Sequence, residues 1–482
     1  MSAKHFPYWV AGEATTSGAA TEIRNPFDGR IVGSVSEAAS DHVDAAIEAS
    51  AAVADEFAGT PAHVRSDALV HVSTRLHERR EEIARLISAE SGKPIKWARV
   101  EVARAVSTFR WAAEEARRWS GHLQRLDTDA GSDGRLALVQ RVPRGPILGI
   151  APFNFPLNLV AHKVAPALAV GAPIIVKPAP ATPLSSLVLG GMLAETSLPA
   201  GAWSVLTVSN DKASDMVVDP RLPVVSFTGS VPVGWSIREL VPRKHVTLEL
   251  GGNAAVVVCA DWVDEAKQEY AAERIARFSM YQAGQSYIAV QRVFVHDSLY
   301  DAMRRRILAH VASLSTGSPD DDETDVGPLI DDRAAVRVEE WIEEAVAGGA
   351  TVLAGGGRTG AVFEPTVIED APPGAKVVDD EVFGPVVVLC KVASDAEALE
   401  QVNRSRFGLQ AGIFTSNLQT AFTASRVLDV GGVIVGDVPS FRADQMPYGG
   451  VKDSGTGKEG VHSAMEDLTQ EKVLVLTGIE IP

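Results

Sequence analysis

The chain has 482 residues, 46% hydrophobic and 22% charged, which suits about two or three soluble globular domains. Its 45 basic and 62 acidic residues leave a net charge of −17, which argues against a nucleic-acid surface, where phosphate binding wants clustered Lys and Arg. Two cysteines, Cys259 and Cys390, are too few for a disulfide framework or a cysteine metal site; they predict buried thiols, no metal and a reducing, cytoplasmic compartment.

Residues 1–12 hold no apolar signal-peptide core. No run of about 18 apolar residues occurs, so no membrane span is expected. Residues 40–118 read as helices: Val43, Ile47, Ala51 and Ala54 recur at helical spacing, as do Leu69, Val72, Leu76, Ile83 and Leu86, with Asp41 as a candidate cap. A polar turn at 127–134 followed by the alternating run 136–142 predicts a hairpin. From 145 to 252, short apolar runs (147–150, 174–176, 203–206, 224–227, 245–248) alternate with helical segments (157–170, 183–196, 212–219, 232–240). That pattern predicts a parallel sheet covered on both faces. Residues 253–430 repeat it, with strands at 254–259, 291–295, 386–392 and 411–414 and helices at 266–282, 299–314, 334–347, 396–403 and 420–428. The acidic stretch 320–325 reads as a solvated loop, and the tail 472–479 as a last strand.

Open parallel sheets bind ligands at the carboxyl ends of their strands, so the residues that follow each strand are the candidates. Asn154, in Ala151-Pro152-Phe153-Asn154-Phe155-Pro156, suits donation to a developing oxyanion, or is a turn asparagine bonding its own backbone. Lys177 suits ribose hydroxyls or phosphates, or is an exposed structural lysine. Thr228-Gly229-Ser230 leads into a helix and suits a phosphate, as it also suits a plain turn. Glu249, before Leu250-Gly251-Gly252, is a candidate general base with backbone brought close to a ligand, or a solvated carboxylate. Each signal is weak alone; their shared location at successive strand ends is what counts.

Further runs join these: Glu90-Ser91-Gly92-Lys93-Pro94, Glu381-Val382-Phe383-Gly384-Pro385 and Pro447-Tyr448-Gly449-Gly450-Val451-Lys452-Asp453-Ser454-Gly455. With them the sequence resembles the aldehyde dehydrogenase superfamily nearly end to end. The run Gly284-Gln285-Ser286-Tyr287-Ile288-Ala289-Val290-Gln291-Arg292 follows that family's G-Q-x-C-x-A-x-x-R pattern, with Tyr287 at the cysteine position.

The resemblance implies a Rossmann-like parallel-sheet cofactor domain (1–119 and 141–250), a second α/β catalytic domain (251–446) and a small β oligomerisation element (120–140 and 465–482). It implies a homodimer or homotetramer. It implies NAD or NADP, held by Ile150, Lys177, Gly229, Ser230, Leu250, Glu381 and Phe383. Pro180 stands where NAD-preferring relatives carry a ribose-binding glutamate, so a 2′-phosphate is not repelled. The implied chemistry is covalent: a thiolate attacks the aldehyde, Asn154 and a backbone amide hold the oxyanion, hydride leaves, and Glu249 activates water. Tyr287 is no simple substitute, because a phenol ionises near pH 10 against about 8.5 for a thiol and its ring fills substrate space.

Phe155, Tyr281 and Arg442 are assigned to an aldehyde substrate, with Trp111 and Phe441 as further tunnel aromatics. Arg442 either meets a carboxylate or phosphate of a small aldehyde, or is a surface arginine paired with Asp444. Three functions follow. The chain oxidises an aldehyde to an acid, without a thiol if the gem-diol loses hydride directly. Or it has kept the cofactor fold and lost dehydrogenase turnover, using Tyr287 in non-redox chemistry or regulation. Or Tyr287 is an introduced substitution.

Overall fold

In the computed structural model, which describes residues 4–478, the five apolar runs between 145 and 252 form the middle of an eight-stranded sheet. Residues 1–3 and 479–482, the outer ends of the expected cofactor and oligomerisation segments, lie outside the described residues. The sheet order is Gly455–Thr456, His245–Glu249, Val224–Thr228, Ile147–Ile150, Ile174–Lys177, Trp203–Val205, Tyr8–Val10, Glu13–Thr15. The five central strands are parallel and almost wholly buried, as helices on both faces require. Antiparallel partners close both edges. The chain works outward from Ile147–Ile150 to Trp203–Val205, then crosses back to lay Val224–Thr228 on the other side. That reversal places a crevice at the carboxyl ends of Ile147–Ile150 and Val224–Thr228.

A second sheet runs Thr351–Ala354, Thr366–Glu369, Val386–Val392, Arg292–His296, Ala255–Val258, Gln410–Phe414, Gly432–Val435, parallel except for its first pair. The mixed α/β architecture with parallel sheets is the one expected. The predicted hairpin pairs His122–Arg125 with Arg135–Pro143, and the tail strand Thr469–Thr477 joins it. The helix Val461–Asp467 before that strand packs Val461 and Met465 into the core of the first sheet.

Several local expectations fail. The helical region divides into Ser40–Gly59, Ala62–Glu78, Arg80–Ser91 and Ile95–Arg118, and Asp41 lies inside the first turn while Ala39 holds the cap position. The acidic loop is not simply solvated: Asp322 pairs with Arg99, Asp325 with Lys96 and Asp320 with Arg30. The helix expected at 266–282 stops at Met280. Strands before residue 40 and at 351–369 are two to six residues long, too short for a clear alternation; the edge strand Ala20–Arg24 also buries only a single residue.

Two glutamates from the early helices reach across the core to cap others. Glu90 accepts the amides of Leu184 and Ser185 at 2.7 and 3.0 Å, and Glu101 those of Leu157 and Asn158 at 2.9 and 3.1 Å. They serve the first turns of Leu184–Leu193 and Asn158–Val170, which have no local side-chain cap. Lys93, fully buried, pairs with Glu101 and lies over the Phe155 ring, 4.1 Å from its centroid. The motif around Glu90 and Lys93 is thus structural, and it braces the turn that carries Asn154.

Among the described residues no helix is long and apolar enough to cross a membrane. Nor does any group of three or more His, Cys, Asp or Glu among them stand ready to hold a metal. Cys259 and Cys390 are free thiols in the core of the second sheet; burial raises both, Cys390 to about 11.

Candidate active site

A cleft of about 870 Å³ opens at the crevice, and Ile150, Asn154, Lys177, Gly229, Ser230, Glu381 and Phe383 line it. Of the residues expected to hold a cofactor, Leu250 is the exception: its side chain packs under the helix at Gly234, where a Cβ would strike it. One helix end at the cleft is free. Ser230 precedes Val231–Leu240 with no side-chain cap bond, whereas Glu101, Glu90 and Ser209 occupy the ends of the three helices that follow the neighbouring strands. Its unpaired amides and positive dipole end suit an anion. Lys177 donates to Asn210 Oδ1 at 3.0 Å, and burial lowers its pKa.

Glu381 is held over the cleft by its neighbours. Its Oε1 accepts the Gly252 amide at 2.9 Å. Gln291 takes the Val382 amide at 3.0 Å and donates to Asp380 O at 2.7 Å, while Asn253 donates to Val378 O at 2.6 Å. A Cβ on Gly251 would run into the Glu381 carboxylate and push it from this position. Burial pushes the Glu381 carboxyl up to about 7. Phe383 follows with φ 46°, a strained conformation of the kind found at ligand clamps.

A second chamber, of about 210 Å³, lies beyond. Trp97, Arg104, Phe155, Tyr281, Phe441 and Arg442 are among its walls, and Tyr287 lines both chambers. Trp111 does not reach it and packs against the first core instead. The loop carrying Tyr287 is locked to the Asn154 turn. Asn154 Nδ2 donates to Gln285 O at 2.9 Å, and the Gln282 amide donates back to the Asn154 carbonyl. Gln282, Ala283 and Gly284 take φ of 52°, 54° and 69° in succession, which is why the helix could not run on to residue 282. Strain of this kind is kept only where surroundings enforce it.

The buried charges form one connected group. Arg442 is neither at the surface nor paired with Asp444. Its Nη1 donates to the Tyr287 hydroxyl at 3.0 Å, its Nη2 to Glu459 Oε2 at 2.8 Å, and it stacks 3.9 Å from the Tyr448 ring centroid. Asp444 instead accepts Nε and Nη2 of Arg104, at 3.1 and 3.0 Å. Against the cost of burial, Arg442 and Lys163 hold Glu459 down to about 2. Burial raises the Tyr287 phenol, opposed by Arg442. Glu249 is buried with neither oxygen hydrogen-bonded and lines neither chamber; burial, then Glu459, raises its carboxyl well above the usual range.

Sequence reasoning missed Glu101, Arg104, Lys163, Gln282 and Glu459. Lys163 offered a signal, a charge inside the apolar run 157–170. Arg104 and Glu101 sit in an ordinary amphipathic helix and offered none.

The chain matches the aldehyde dehydrogenase family over residues 9–474. It is 40% identical over 474 residues to 3-sulfolactaldehyde dehydrogenase of Priestia aryabhattai, covering 98% of each protein. Its fold matches aldehyde dehydrogenase 21 of Physcomitrella patens, solved with its reaction product succinate, at a TM-score of 0.97 and 43% identity over 99% of each chain. It also matches the NADP-dependent glyceraldehyde-3-phosphate dehydrogenase of Bacillus halodurans C-125, complexed with NADP, at a TM-score of 0.93 and 34% identity over 98% of this chain and 99% of that one.

Proposed function

This chain belongs to the aldehyde dehydrogenase family, and from that membership we propose an NAD(P)-dependent oxidoreductase for a short aldehyde bearing an anionic group, with Tyr287 at the position of the nucleophilic cysteine. One observation carries the reading: Tyr287 lines both the cleft and the arginine-walled chamber. A group that must touch both substrate and cofactor belongs there.

The cleft suits a dinucleotide. Ser230 and the free amides that follow it suit the pyrophosphate. Glu381, with one oxygen on Gly252 and the other without a protein partner among the described residues, suits ribose hydroxyls. Lys177 and Asn210 suit the second ribose or its 2′-phosphate, and Pro180 leaves no carboxylate to repel that phosphate. NADP is therefore accepted alongside NAD. When bound, the nicotinamide supplies the hydride chemistry that the protein lacks.

Arg104 supports the anionic substrate. It uses Nε and Nη2 on Asp444, and its Nη1 has no partner among the described residues. Its side chain is 25% exposed at the chamber wall. The relatives named above handle compounds that carry a sulfonate, a carboxylate or a phosphate.

A second reading, cofactor binding without dehydrogenase turnover, is favoured by the same residue: the phenol is buried and bonded to Arg442. Neither reading changes the assembly. The two sheets with separate cores support the cofactor and catalytic domains at 1–119 with 141–250, and at 251–446. Leu123, Val473, Leu474 and Val475 are exposed on the hairpin sheet, which supports the oligomerisation element and a homodimer or homotetramer. Two free core thiols fit a reducing cytoplasm.

The test compares the native chain with Tyr287→Cys. Both are titrated with NADP and NAD, then assayed with sulfonated, carboxylated, phosphorylated and neutral aldehydes. The expected result is binding by both proteins and acid formation by the Cys variant from an anionic aldehyde. Failure of both proteins to bind either dinucleotide overturns the proposal.

A further inference from the structure

We propose that the native chain reduces its aldehyde to the primary alcohol, with the Tyr287 hydroxyl as proton donor and Arg442 as the cation that holds the phenolate left behind. This rests on the cleft being the nicotinamide site, as argued above.

The geometry supplies the donor. Tyr287 reaches both chambers. Its oxygen accepts from Arg442 Nη1 at 3.0 Å, and its own O–H meets no acceptor among the described residues. The proton is therefore available to a ligand, while the oxygen is already solvated by a cation for the moment it becomes charged. Arg442 is fixed in advance: its side chain is 2% exposed, its other arm is on Glu459, and its face lies on Tyr448. A preorganised charge aimed at a developing anion is the strongest device a protein has for such a step.

The charge states favour reduction over oxidation. Oxidising an aldehyde to an acid needs a nucleophile or an ionised base. No thiol is near: Cys259 and Cys390 lie in the other core. Glu249 lines neither chamber, and burial raises its carboxyl, which favours the protonated form. Reduction needs an acid, and burial keeps the Tyr287 phenol protonated as well. An alkoxide is a much stronger base than a phenolate, so the transfer from phenol to product oxygen runs downhill.

The step balances as follows. The aldehyde carbon gains a hydride, two electrons and one proton, from a reduced nicotinamide. The carbonyl π pair moves onto oxygen. The Tyr287 O–H bond breaks and its proton forms the new O–H bond, giving a primary alcohol and an oxidised nicotinamide. The phenolate, facing Arg442, is reprotonated from water through the chamber mouth, where Phe441 is 48% exposed. The net reaction consumes one proton.

The experiment begins with an aldehyde that Tyr287→Cys oxidises. The native chain and Tyr287→Phe are each given that aldehyde with reduced NADP or NAD. Alcohol is identified by NMR, and nucleotide binding is measured separately by fluorescence titration. The expected result is alcohol from the native chain, equimolar with oxidised nucleotide. Tyr287→Phe should bind the reduced nucleotide yet form alcohol at least about 100-fold more slowly, the usual worth of a general acid. No alcohol from the native chain, with an aldehyde the Cys variant oxidises, overturns this inference and leaves the proposed function standing. Equal rates for the native chain and Tyr287→Phe also overturn it. If the Cys variant neither binds nucleotide nor oxidises any aldehyde, the reading of the cleft falls first and this inference falls with it.

Discussion

The guanidinium of Arg442 donates to the hydroxyl of Tyr287 at 3.0 Å while its other arm holds Glu459 at 2.8 Å. The two contacts are unequal in what they protect. Arg442→Met strips a buried carboxylate of its close partner and leaves only Lys163, 3.7 Å away; breaking such a pair costs about 3–5 kcal/mol. Tyr287→Phe removes one acceptor from a buried donor and should cost about 1–3 kcal/mol. Urea denaturation of the two variants should rank them in that order, and the reverse order would remove Glu459 from the account.

Glu381 should make cofactor binding depend on pH. Only its ionised carboxylate is a full acceptor for ribose hydroxyls, and burial places its titration at about 7. Affinity for NADP should therefore fall as the pH drops through that value. Glu381→Gln should bind about tenfold more weakly at high pH, the loss of roughly 1.4 kcal/mol from a charge-assisted bond, and its pH dependence should be flat. Fluorescence titrations on either side of neutrality read both effects; a native profile without slope would show that Glu381 does not touch the ligand.

Glu90 gives a stability prediction with a definite sign. Burial raises its carboxyl to about 7 from the ordinary 4.5 of a glutamate. The folded state thus binds the proton more tightly than the unfolded state. The contribution is fully present below the unfolded value and is lost as pH rises through about 7. The swing is on the order of 3 kcal/mol, at about 1.4 kcal/mol per unit. Glu90→Gln keeps one acceptor for the amides of Leu184 and Ser185 and cannot ionise. Between acid and neutral pH its denaturation midpoint should decline less steeply than that of the native chain.

The parallel core was legible because strands buried on both faces must be apolar throughout; 147–150 and 224–227 announce themselves. Edge strands such as Ala20–Arg24 carry no such mark. At the site, Asn154, Lys177, Ser230 and Glu381 stood out because each occupies a turn whose backbone needs fix neighbouring glycines or prolines. Arg442 was visible, but its partner was not. Asp444 is near it in sequence, but the fold brings Glu459 and Tyr287 to it instead, the latter from 155 residues away. Glu101 bonds amides 56 and 57 residues off, and no local pattern encodes that.

Arg104 should decide which aldehydes the chamber takes. Two of its nitrogens bind Asp444, which holds the guanidinium plane in place, and the third has no partner among the described residues, in a side chain that lines the chamber. Asp444 also contacts His162 at 3.3 Å, so Arg104→Met leaves that carboxylate with a partner. A lost charge-assisted bond of about 1.5–3 kcal/mol corresponds to a rise of roughly 10- to 100-fold in KM for an anionic aldehyde. A neutral aldehyde of the same length makes no use of the third nitrogen, and its KM should not move. Placing Arg104→Met in the Tyr287→Cys background separates recognition from chemistry, since kcat should stay near that of the parent for both substrates. A parallel loss for charged and neutral aldehydes would mean that Arg104 shapes the chamber without reading charge.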